Sequence, residues 1–124
     1  MIIPLKDGSF NKVVPFRDGI TFTIDYPTYQ QERELEEMLI ASASIKEEGK
    51  ENIAYLRYLR KYLEFTVKDW SGIKDQHGNE IKFDQNRAEE LIYLLTRGGV
   101  LAMELYGLIS PLLQFDDTDK KKLP

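Results

Sequence analysis

Between Phe10 and Asp25 the apolar positions keep a period of two: Val13-Val14 comes first, then Ile20, Phe22 and Ile24 interleave with Thr21 and Thr23. A period of two sends alternate side chains to opposite faces, so residues 10–25 are predicted to form a β-hairpin turning at Arg17-Asp18-Gly19. Pro15 has no N–H to give to a ladder, which makes the first strand an edge strand or ends it early.

After Tyr26-Pro27 the period lengthens to that of a helix. Thr28 with Gln31 three positions on has the pattern of a capping box, and the helix it opens is predicted to run to about Glu48, with Gly49 as its stop. Leu35, Met38, Leu39, Ser42 and Ile45 fall on its core face; Glu32, Arg33, Glu36 and Glu37 face water. A second helix is predicted over about Glu51 to Lys68. There Leu56, Leu59, Leu63 and Val67 fill one side and Arg57, Lys61, Glu64 and Lys68 the opposite quadrant. Tyr55, Tyr58, Tyr62 and Phe65 make a third, aromatic flank, so this helix has two faces to bury.

From Trp70 to Phe83 a short second hairpin is expected, with Ile73 and Ile81 or Phe83 flanking a turn built from Asp75, Gly78 and Asn79, and with Trp70 as its anchor to the core. Asp84 or Asn86 caps a third helix that ends at Arg97-Gly98-Gly99 and carries Leu91, Ile92, Leu94 and Leu95 on its core face. Between Gly98 and Phe115 only Glu104 is charged, so the last helix is apolar nearly all round and must be covered by something. The fold class that follows is α+β and mainly helical. About four helices form one domain over residues 1–115, with the N-terminal hairpin at 10–25, a helical core at 28–115, a short hairpin after Trp70, and a charged, flexible tail at 116–124.

Composition narrows the chemistry. The chain of 124 residues is 42% hydrophobic and 31% charged, a globular balance. Its formal net charge is −4, and neither half carries a basic surplus. Phosphate contacts need such a surplus, so no nucleic-acid partner is expected, although Tyr55, Tyr58 and Tyr62 beside Arg57, Arg60 and Lys61 are residue types that stack on bases. Without cysteine there are no disulfides and no thiolate metal sites. The N-terminus lacks the features of a signal peptide, and a cytoplasmic location is expected.

His77 is the single histidine and lies in the Gln76-Gly78 turn, so a Ser/His/Asp relay could be built only around this exposed position, and a multi-histidine metal site cannot be assembled. The paired carboxylates Glu36-Glu37, Glu47-Glu48, Glu89-Glu90 and Asp116-Asp117 sit on predicted solvent faces. The glycines make no phosphate cradle. Catalysis, metal and cofactor are therefore not expected. Residues 98–115 lie at the lower edge of bilayer-spanning length, and Glu104, Gly107 and Pro111 favour a buried or partner-covered helix over one in lipid.

The leucine-rich second helix, then Val67-Lys-Asp-Trp70-Ser-Gly-Ile73, then Asp75-Gln-His-Gly78-Asn79-Glu-Ile81-Lys-Phe83-Asp84, together with Tyr26-Pro27-Thr28 leading into an acidic helix, resembles the tail assembly chaperones of long-tailed bacteriophages over roughly residues 20–97. The resemblance implies a non-catalytic phage or prophage protein acting in the host cytoplasm. It would hold the tape measure protein soluble, recruit tail tube subunits, and leave before the tail is complete. The candidate partner-binding residues are Tyr55, Tyr58, Tyr62 and Phe65 on the second helix and Leu101, Leu105, Leu108 and Leu112 on the last. A homo-oligomer and a permanent virion component, such as a head-tail connector or tail subunit, are the alternatives. The resemblance also implies a longer product made by ribosomal frameshifting at an adenine run encoding Lys120-Lys121-Lys122, where a solvated basic tail is the simpler reading. The nucleotide sequence decides: an uninterrupted run is expected under the frameshift, and interrupting codons remove it.

Overall fold

A computed structural model describes residues 12–44, 50–97 and 100–113. The N-terminal hairpin forms as its alternation requires. Strands β1 (Lys12–Pro15) and β2 (Thr21–Ile24) pair antiparallel, from Lys12 opposite Ile24 to Pro15 opposite Thr21. Phe16 and Ile20 close the loop, with the Phe16 amide donating to the Ile20 carbonyl at 2.8 Å. Asp18 and Gly19 have φ of 54° and 77°. These are left-handed values that Gly adopts freely and Asp more readily than most residues. Strand β1 is an edge of the sheet, where Pro15 leaves no ladder bond unmade.

Helix α1 (Tyr29–Ala43) opens on the expected capping box: the Gln31 amide donates to Thr28 Oγ1 at 3.1 Å, and the Thr28 amide to Gln31 Oε1 at 3.0 Å. Only Leu35 and Ser42 of the expected core face are buried; Met38 is half-buried and Leu39 is 43% exposed, because α1 packs along one helix rather than into a core. Ile45, the expected end near Glu48 and the Gly49 stop lie outside the described residues.

Helix α2 (Lys50–Thr66) stops short of the expected Lys68. Residues Val67–Ser71 instead form a third strand, β3, antiparallel to β2. Without it β2 would present an unpaired edge, and the β-branched Thr66-Val67 pair suits strand better than helix. The exchange is well sealed. The Asp25 amide donates to the Thr66 carbonyl at 3.0 Å, the Thr66 hydroxyl to the Tyr62 carbonyl at 2.8 Å, and Lys68 Nζ to the Phe65 carbonyl at 2.6 Å. A register irregularity at Thr23/Ile24 puts Val67 opposite Ile24, so both Val67 and Trp70 reach the interior.

Trp70 is the anchor its position suggested. Its indole N–H donates to the Ile81 carbonyl at 2.8 Å, and its ring meets Phe83 edge-on at 4.9 Å. The hairpin that follows is reduced to one Lys74–Glu80 bridge and an Ile81 amide bond to Ile73. The Asp75 carboxylate knots the turn by accepting from the Asn79 and His77 amides, bonds that hold its pKa below the ordinary value. Asp84, not Asn86, caps helix α3 (Gln85–Arg97) by accepting from the Arg87 amide at 2.9 Å. On α3, Ile92 is buried with Ala88 and Thr96, Leu91 and Leu95 are half-buried, and Leu94 is exposed on the far side. Helix α4 (Val100–Leu113) turns back at 113° to α3.

The main core joins the sheet's Val14, Phe22, Ile24 and Trp70 to Leu63, Ile92, Leu105 and Ile109 from α2, α3 and α4. A second cluster centres on Leu35, Tyr58 and Leu59. Arg17 at the hairpin loop pairs with Glu104 of α4 at 2.7 Å, tying the sheet to the last helix. Among the described residues no single helix is long and apolar enough to cross a membrane.

Two glycines with matching backbones separate conformation from packing. Gly72 (φ 83°) and Gly78 (φ 82°) are both left-handed, but a Cβ on Gly72 would strike the Gly19 carbonyl whereas one on Gly78 meets open space. Gly78→Ala should cost about 1 kcal/mol from φ alone, and Gly72→Ala at least twice that, read by urea denaturation. Equal losses would remove the Gly19–Gly72 contact from the account.

Candidate partner-binding groove

Helices α1 and α4 both pack on α2 and make at most marginal contact with each other. The gap between them is an open groove of about 580 Å³. Its α1 wall is Leu35 and Leu39 with Glu32, Arg33 and Glu36; its α2 floor is Tyr58 and Tyr62; its α4 wall is Tyr106, Ser110 and Leu113. Tyr26, Pro27 and Tyr29 close one end.

The floor is a tyrosine cluster. Tyr106 meets Tyr62 edge-on at 4.7 Å and Tyr58 at 6.0 Å, and Tyr55 stacks on Tyr58 at 5.9 Å. Such ring pairs add to area burial by matching ring edges to faces. The Tyr58 and Tyr106 hydroxyls bond at 3.2 Å, so two phenols share one hydrogen bond beneath the groove. Burial pushes the Tyr62 phenol up to about 12; the Ser110 hydroxyl bond opposes this, and Tyr106 and Glu32 add to it. Tyr58 is raised further, by burial first and then by the Tyr106 bond.

The structure divides the expected partner-binding residues. Leu105 is 0% exposed and Tyr58 is 7% exposed, so neither offers a side chain to a partner in this fold. Leu105 points with Ala102 and Ile109 at the sheet and α3, and Tyr58 is covered by Tyr55, Tyr62 and Tyr106. Tyr55, Tyr62 and Phe65 are half-buried, and Phe65 lines a different hollow, beside Lys61 and Phe83. Leu101, Leu108 and Leu112 are exposed and follow one flank of α4. Glu32 and Glu36 face water as expected, whereas Leu39, expected in the core, is exposed; the three border the groove together. Tyr106, the one aromatic residue of α4, was the available signal for the opposite wall.

Among the described residues no three His, Asp or Glu side chains converge as a metal site would require, and His77 is exposed in its turn. The family model described as YdaY prophage protein matches residues 24–103, which is 80 of the 124 residues. The chain belongs to the YdaY prophage protein family. It is therefore a phage-associated protein. No curated protein and no solved structure matches it. In this YdaY-family chain the matched stretch holds α1, α2 and α3 whole; the groove wall from Tyr106 to Leu113 lies beyond it.

The phenols give the cluster a pH signature. Unfolded tyrosine releases its proton near 10, whereas Tyr62 holds its own to about 12. Between those values the unfolded chain binds fewer protons than the folded one, so stability falls as pH rises; below pH 10 this contribution is fully present. Denaturation midpoints should decline across that window, and Tyr62→Phe should make the decline shallower. A decline of unchanged steepness would place the alkaline sensitivity elsewhere.

Proposed function

We propose that this prophage protein is a non-catalytic tail assembly chaperone. It holds apolar helical segments of the tape measure protein in the groove between α1 and α4, brings tail tube subunits to them, and works in the host cytoplasm. The observation that carries the reading is the groove: an open, aromatic-floored channel bounded by two helices that a third holds apart. Such a channel accepts an amphipathic helix through anchors at helical spacing. Membership of a prophage family and the resemblance to tail assembly chaperones supply the biological setting. The titratable groups at the groove are a solvent-edge pair of carboxylates, an arginine and phenols, a set that suits binding.

A second reading is a permanent virion subunit, favoured by the exposed Leu101, Leu108 and Leu112 flank, which suits a lasting contact. Mass spectrometry of purified particles separates the two: a chaperone is absent, and a subunit is present in symmetric copy number.

The direct test is co-expression with the neighbouring tape measure protein, scored by its soluble fraction. Leu39→Glu alters an exposed groove residue and should change stability by no more than about 0.5 kcal/mol while abolishing solubilisation. Leu108→Glu/Leu112→Glu, on the other flank, should leave solubilisation intact. If Leu39→Glu solubilises as well as the native chain, the groove is not the binding site.

A further inference from the structure

The groove is asymmetric in charge, and that asymmetry restricts what can lie in it. Helix α1 carries Glu32, Glu34, Glu36 and Glu37 against one cation, Arg33. Of these, Glu32, Arg33 and Glu36 border the groove, and the Arg33 guanidinium lies over the Tyr29 ring at 5.9 Å. The facing wall of α4 from Tyr106 to Leu113 has no charge at all. Glu32 and Glu36 are one helical turn apart on the same face, an arrangement in which like charges repel and weaken the helix. Among the described residues neither carboxylate is in an ion pair. Glu32 lies close enough to Tyr62 for its charge to disfavour ionisation of that phenol. One lip of an apolar channel thus carries a net negative charge, two carboxylates against Arg33, and the other is neutral.

Resting on the reading of the groove as a partner site, we infer that its occupant is an amphipathic helix with lysine or arginine along one side of its apolar ridge. The ridge seats between Leu35, Leu39 and Tyr106, and the cations meet Glu32 and Glu36. The polarity also fixes orientation: the basic edge of the guest lies toward α1 and its uncharged edge toward α4. Charges on a rim contribute mainly to choice of partner and rate of encounter, while the apolar ridge supplies the affinity.

The test uses the full chain and two fluorescein-labelled helical peptides that share one leucine ridge, one peptide flanked by lysines and the other by glutamates. Fluorescence anisotropy at low salt should show the lysine peptide binding about three- to tenfold more tightly, as two exposed charge pairs allow. The gap should close at high salt. Glu32→Gln/Glu36→Gln should abolish the gap with no loss of thermal stability. Equal binding, preference for the glutamate peptide, no binding of either, or a gap that survives the double substitution would each overturn the inference. So would a dimer in sedimentation equilibrium that Leu39→Glu dissociates, since a second copy would then fill the groove. Tape measure solubilisation that depends on Leu39, combined with indifference to peptide charge, would remove this inference and leave the chaperone reading intact. Solubilisation that survives Leu39→Glu would remove both.

Discussion

One helix has to serve three neighbours. Helix α2 packs against α1, α3 and α4 and then continues without a loop into the strand that completes the sheet. Leu59 and Leu63, successive turns of its leucine side, are fully enclosed. Packed helices lie roughly 8–10 Å apart, so partners set on different sides of one helix leave a channel where they fail to meet each other. The groove is the geometric remainder of this arrangement. Its floor is aromatic because Tyr58 and Tyr62 flank the leucine side of α2 where α1 and α4 fail to meet.

The junction between α2 and β3 governs the rest of the packing. A helix that ran on to Lys68 would have turned Trp70 away from the sheet and left β2 with a free edge. Ending at Thr66 lets Ile24 face Val67 and Phe22 face Trp70 across the ladder, and the same step brings Ile81 and Phe83 under the indole ring. The sheet, the Asp75 turn and the start of α3 are therefore positioned by a single change of backbone conformation.

That change was the least legible feature of the sequence. Val67 satisfies a helical period with Leu56, Leu59 and Leu63 as well as it satisfies a strand with Trp70, and short apolar runs do not separate the two. The hairpin around Asp18-Gly19 and the capping box at Thr28 were legible, and the α3 cap was narrowed to Asp84 or Asn86, because each rests on a local hydrogen bond or a φ value that few residues supply. The groove was half legible. Its aromatic floor followed from spacing along α2, but which side of α1 and α4 looks inward depends on how those helices are placed around α2, a long-range relation that periodicity does not carry. Leu105 and Leu108 are both leucines on α4; only tertiary packing makes one core and the other surface.

The phenol hydroxyls give the groove floor a further property. A channel floored by leucine would expel water and press its owner to stick to any oily surface nearby. One whose surface includes the half-buried Tyr62, Tyr106 and Ser110 keeps hydroxyl groups beside the solvent. Vacating such a channel exposes a surface that can be wetted, so the unliganded chain is tolerable in water and the exchange of one guest for another is not opposed by a dry, empty cleft.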